Sequence, residues 1–121
     1  MTPTGEHTLG MQVTAVDDNI TKVSLNGRLD TLGVGQIETS FTATLVPSGK
    51  SAIVDLSGVQ FVASMGIRML ISVARAMRQR QAKLAIYNPT SLVQEVFDTA
   101  RLSDIIPIGR DEDDARRIVS A

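Results

Sequence analysis

Cysteine is absent from this 121-residue chain, which excludes disulfides, thiolate catalysis and cysteine-ligated zinc. Tryptophan is absent too, tyrosine occurs once, and aromatics make up only 3%. That counts against sugar-stacking platforms and aromatic nucleic-acid surfaces. The single histidine, His7, follows the polar stretch Thr2-Pro3-Thr4-Gly5-Glu6, so residues 1–8 are expected to form a flexible tail. With His7 set aside, no Ser-His-Asp triad, Cys-His pair or histidine metal site can be assembled. Neither sign of charge dominates: the net charge is -1, and nothing in it recruits nucleic acid or an anionic membrane. No apolar run approaches membrane-spanning length, and the start lacks a basic-then-apolar export signal. The expectation is a soluble, cytoplasmic protein that is not an enzyme, holds no cofactor or metal, and does not insert into a membrane.

What is present is aliphatic. Hydrophobic residues make up 43%, enough for one core and one domain over residues 9–121. Met11–Val16 and Ile20–Leu25 alternate in polarity and flank the turn formers Asp17-Asp18-Asn19, which predicts a hairpin. Gly27-Arg28-Leu29-Asp30 closes the second strand. Ile37, Phe41 and Leu45 share one helical face, predicting a helix over Val34–Val46 that Pro47-Ser48-Gly49 stops. Ser51–Leu56 reads as a buried central strand. A second helix is predicted over Met65–Gln79, with Ile67, Leu70, Ile71, Ala74 and Met77 as its buried stripe. Leu84–Tyr87 is the next strand. Thr90 or Ser91 caps a third helix with Leu92, Val93, Val96 and Phe97 inward. Ile105–Ile108 reads as an edge strand because it contains Pro107. A last helix starts within Asp111–Asp114, where carboxylates suit the positive end of the dipole. The fold class is α/β: a mixed β-sheet of about five strands with parallel crossovers and helices mainly on one face.

The informative stretch is Ile53–Leu70. A buried strand ends at Asp55-Leu56, a short loop passes Phe61, and Ser64 stands immediately before a helix. Phe61 is expected to be buried, pinning the loop. Gly66 in the first turn is expected to leave the backbone open to close approach by another molecule. On local chemistry alone Ser64 reads first as a plain N-cap, and only second as a polar acceptor beside free N–H groups.

Asp55-Leu56-Ser57, Val59-Gln60-Phe61 and Ser64-x-Gly66 resemble the signature of the STAS domain, the fold of anti-sigma factor antagonists. Leu25-Asn26-Gly27-Arg28-Leu29-Asp30 resembles that family's strand-ending Gly-x-Leu-Asp, and the element order agrees from about Met11 to Ile118. The resemblance implies that Ser64 is the phosphoacceptor of a partner anti-sigma factor, a serine kinase-like ATPase, and that a phosphatase resets it. It implies a partner surface around Asp30, Ala63, Met65, Gly66 and Arg68, and leaves a homodimer open. Two residues depart from the pattern: Ala63, where an acid is usual, and Met65, where Ser or Thr is usual. A permanently unphosphorylated antagonist is therefore an alternative. So are a scaffold subunit of a stress-sensing or lipid-transport complex and a small-ligand or nucleotide sensor.

Two further features stand apart. Asp30 and Asp55 are loop or cap carboxylates by type, and also a pair that could hold Mg²⁺ if close together. No acid occurs from Leu56 to Gln94, while Arg68, Arg75, Arg78, Arg80 and Lys83 are all basic. This is either an ordinary solvated face or a patch that steers an acidic partner.

Overall fold

Alternation along the strands decides which side chains enter which core. In the computed structural model, which describes residues 10–121, the central strand sends Ala52, Val54 and Leu56 to one face and Ile53 to the other. Leu84 and Ile86 against Ala85 and Tyr87 divide in the same way. The elements are β1 (Gly10–Ala15), β2 (Ile20–Leu29), α1 (Thr31–Leu45), β3 (Ser51–Val62), α2 (Ser64–Gln79), β4 (Leu84–Tyr87), α3 (Ser91–Ala100), β5 (Ile108–Gly109) and α4 (Glu112–Ser120). The sheet order is β1-β2-β3-β4-β5; β1 is antiparallel to β2 and every other pair is parallel. The expected tail, with His7, lies outside the described residues.

The larger core joins Val23, Leu25, Leu29, Val54, Leu56 and Ile86 of the sheet to α1, α2 and α3. Each fully buried aliphatic side chain contributes about 1.5–3 kcal/mol. The smaller core lies on the opposite face, where Ala115 and Val119 of α4 cover Ile20, Ile53, Ala85 and Tyr87. Three helices on one face and one on the other agree with the α/β expectation of helices mainly on one side.

Several boundaries differ from the sequence reading. The α1 helix begins at Thr31 rather than Val34, because the Asp30 carboxylate accepts the Gly33 amide at 2.8 Å and starts the helix earlier. In α2 the buried stripe is centred on Met69, Leu70, Val73 and Met77, with Ile67 and Ile71 on its half-buried flank. The predicted edge strand at Ile105–Ile108 is reduced to Ile108–Gly109. Residues Leu102–Asp104 instead form a 3-10 turn that drops Ile106 into the core.

Terminal helix α4 is fastened by charge as much as by apolar contact. Lys22 reaches Glu112 at 3.0 Å, and that bond is the main reason the Lys22 pKa is raised. Beneath it the Tyr87 hydroxyl is buried and has no hydrogen-bond partner among the described residues. Burial, and then the charge of Asp55, push its pKa up to about 12. The Asp111 carboxylate caps α4 by accepting the Asp114 amide at 2.8 Å. The Asp114 carboxylate accepts the Arg110 amide at 2.9 Å and also pairs with the Arg117 guanidinium; together they hold its pKa down at about 2. A depressed carboxylate adds stability that is complete above its ordinary 3.8 and disappears as the pH falls towards about 2. Urea unfolding across that range should therefore show wild type losing stability over the window. Asp114→Asn should be less stable at neutral pH and flatter between those limits; parallel curves would remove Asp114 as an anchor.

Candidate functional site

The expected short loop before Ser64 does not exist: β3 continues through Phe61 to Val62. Two register shifts disguise it. Ser24 faces Asp55 but Asn26 faces Gly58, and Gly27 faces Val59 but Arg28 faces Phe61. At each shift β3 carries one extra residue, a bulge that bends the strand. At the first, the Asp55 carboxylate accepts the Ser57 amide at 2.9 Å, so the Asp-Leu-Ser segment stabilises the bulge. Asp55 pairs with Ser24, well below the β2 end where Asp30 lies, so the two carboxylates do not form a metal pair. No group of three acidic or histidine ligands occurs among the described residues.

Phe61 is half-buried rather than core. Leu29 and Val62 point into the main core, so their neighbours Arg28 and Phe61 point to the other face, beyond the reach of α4. There the Arg28 guanidinium lies over the Phe61 ring, 4.4 Å from its centroid, and also pairs with Asp30 at 3.3 Å. The Gly33 amide first, and Arg28 in addition, hold the Asp30 carboxyl below its ordinary range. Asp30 therefore caps α1 as an ionised carboxylate.

β2 and β3 end side by side, joined by the Ala63 amide donating to the Leu29 carbonyl at 2.9 Å. From this rung α1 and α2 start at the same edge of the sheet, and α3 follows the parallel strand β4 to that edge as well. Side-chain caps serve α1 from Asp30, α3 from Thr90 and α4 from Asp111, but α2 has Ala63 at the cap position and no side-chain bond. Ser64 is the first residue of α2, not its cap. Its side chain is exposed, and neither the Ser64 nor the Met65 amide meets an acceptor among the described residues.

Of the other expected surface residues, Asp30 and Ala63 are partly covered beside Ser64, while Met65 and Arg68 are exposed. Gly66 is buried and presents nothing to a partner. A Cβ there would stand 2.8 Å from the Leu29 carbonyl oxygen and 2.9 Å from the Leu29 Cβ. Its absent side chain lets α2 press onto the end of β2, not another molecule onto α2. Leu92, expected inward, is 56% exposed. With Leu32 (63%) and Met65 (38%) it completes a set of outward apolar side chains, each the second residue of its helix. The sequence does carry this signal: Asp30-Thr31-Leu32-Gly33, Ala63-Ser64-Met65-Gly66 and Thr90-Ser91-Leu92-Val93 each run cap, hydroxyl, large apolar residue, then a buried small or branched residue. Between α2 and α3 a recess of 540 Å³ is lined by Ser64, Ile67, Leu92, Glu95 and Val96. The arrangement offers a free hydroxyl in an apolar rim.

The family model described as the STAS domain matches residues 12–115. The chain is 24% identical to BtrV of Bordetella bronchiseptica, described as an anti-sigma factor antagonist, over 81% of this chain and 84% of that protein. It is 22% identical to the anti-sigma-B factor antagonist of Listeria monocytogenes, over 83% of this chain and 88% of that one. The solved structure of the anti-sigma factor antagonist SpoIIAA in its unphosphorylated form superposes with a TM-score of 0.75 at 19% identity, covering 93% of this chain and 98% of that one.

The geometry at the start of α2 predicts opposite effects of two neighbouring substitutions. Ala63→Asp should supply the missing cap and raise stability by about 0.5–2 kcal/mol. Gly66→Ala should lower it by about 1–3 kcal/mol through overpacking, outweighing the gain of about 1 kcal/mol in helix propensity. Urea unfolding measures both. A neutral Gly66→Ala would mean that the first turn does not press on β2.

Proposed function

Because the chain belongs to the STAS domain family, we propose that it is an anti-sigma factor antagonist: a non-enzymatic, cytoplasmic regulator of transcription in a stress response. It binds a kinase-type anti-sigma factor through the sheet edge that carries Ser64, and phosphorylation of Ser64, reversed by a phosphatase, ends the binding. One observation carries this reading. The Ser64 hydroxyl is exposed and free of capping duty, at the head of the one helix among the four described that lacks a side-chain cap. Leu32, Met65 and Leu92 stand ready around it as apolar anchors.

The physics of such a switch is local. A phosphate adds about -1.5 to -2 charges and three acceptor oxygens. At the start of a helix, negative charge is favoured by about 0.3–1 kcal/mol, and here the Ser64 and Met65 amides meet no acceptor among the described residues. The modified domain therefore stays folded. Its cost falls on the complex, where the charge would be buried against apolar side chains. Met65, in place of the family's hydroxyl residue, makes that environment more apolar and the penalty larger.

Binding of the cognate anti-sigma factor to purified variants tests this. Ser64→Ala should bind as wild type does and take up no phosphate. Ser64→Asp should bind at least about tenfold more weakly, a difference of about 1.4 kcal/mol, while its melting temperature hardly changes. Wild-type affinity in Ser64→Asp, or phosphate found on Ser57 by mass spectrometry, would move the switch away from Ser64.

A further inference from the structure

The crest of α2 below Ser64 carries aligned positive charges with no acid among them. At 100° per residue, Ser64, Arg68 and Arg75 fall within a narrow outward sector, with Ser72 beside it and Arg78 on the flank towards α3. All five are exposed. Five cations elsewhere, Lys22, Arg28, Arg101, Arg110 and Arg117, are paired with carboxylates, while Lys50, Arg80 and Arg116 stand singly among the described residues. Arg68, Arg75 and Arg78 have no such partner among the described residues, and no acid occurs between Asp55 and Glu95 to supply one from nearby in sequence.

We propose that this crest is a docking strip for an acidic helix of the partner protein, with carboxylates seven residues apart. The proposal rests on the reading of the chain as a protein-binding switch and adds the chemistry of what it binds. Arg68 and Arg75 are two turns apart, about 10 Å along the axis, the distance between carboxylates at positions i and i+7 of a facing helix. Ser72 between them is short, which leaves a groove that a helix ridge can enter. Duplex nucleic acid is a poorer fit, because α2 exposes no aromatic side chain and only a few cations. An anionic membrane is poorer too, since Met65 is the only strongly exposed large apolar residue on α2. The strip also connects with the switch. A phosphate on Ser64 lies one turn from Arg68, in the i to i+4 relation in which opposite charges pair. It would take up the first guanidinium of the strip and withdraw it from the partner's carboxylate.

The test uses the full chain and a helical peptide bearing glutamates at seven-residue spacing. A peptide of equal composition with its glutamates clustered, a DNA duplex and phosphatidylglycerol vesicles serve as comparisons. The spaced peptide should bind at least about tenfold more tightly than the clustered one, and the difference should fade as salt shortens the Debye length from about 10 Å at 0.1 M to about 3 Å at 1 M. Arg68→Glu combined with Arg75→Glu should abolish the preference without shifting the melting temperature. Equal binding of the two peptides, or tighter binding of DNA or vesicles, overturns the proposal. So does a cognate anti-sigma factor that binds the double variant as tightly as wild type, an outcome that leaves the role of Ser64 standing.

Discussion

The bond from the Ala63 amide to the Leu29 carbonyl is the last rung of the parallel ladder between β2 and β3. Both chains turn into helices immediately beyond it. Gly33 and Gly66, each the third residue of its helix, close the arrangement. A Cβ on Gly33 would lie 2.1 Å from the Arg28 carbonyl oxygen, and one on Gly66 would lie 2.8 Å from that of Leu29. Two helix starts are thus pressed onto consecutive carbonyls of one strand. The positions of Asp30, Ser64 and the outward residues Leu32 and Met65 follow from that contact. A buried, backbone-determined seat of this kind gives an exposed serine a fixed direction without a side-chain bond to hold it.

The start of α2 gives up stability that the other helices keep. Asp30, Thr90 and Asp111 each bond an amide in the first turn of their helices, whereas Ala63 cannot. A cap there would occupy amides that a phosphate on Ser64 needs. It would also place a carboxylate next to that phosphate if the cap were acidic. The uncapped start therefore accommodates added charge within the domain, and the apolar rim of Leu32, Met65 and Leu92 makes the same charge costly in a complex. In the proposed switch, phosphorylation of Ser64 would leave folding intact and weaken binding.

Much of this was legible in the sequence, for identifiable reasons. The alternation of Val23 and Leu25 against Lys22 and Ser24, and the four-residue spacing of Ile37, Phe41 and Leu45, place the strands and α1 because burial acts on one face at a time. Ser64 stands exposed at the head of α2 as its position in the motif implies. The errors have physical causes. Ser57-Gly58 and Gln60 look like a loop because bulges tolerate polar residues and glycine within a paired strand. Phe61 looks like a core anchor while its segment reads as a loop, yet as a residue of β3 it alternates with Val62 of the main core and so lies on the face shared with Arg28. Gly66 suggests space for a partner in sequence, but a missing Cβ equally admits the chain's own strand, and here the end of β2 fills it. Leu92 lies outward because the neighbouring Val93 takes the inward place in the first turn of α3.

The central claim is that the contact surface is the edge where α1, α2 and α3 begin. Hydrogen–deuterium exchange of the chain, alone and bound to the anti-sigma factor proposed as its partner, tests this most directly. Slowed exchange should be concentrated in residues 31–34, 64–68 and 91–95, with the Ser64 and Met65 amides, which meet no acceptor among the described residues, changing most. Protection confined to the exposed edge of β1 or to α4, with exchange at the start of α2 unchanged, would contradict it.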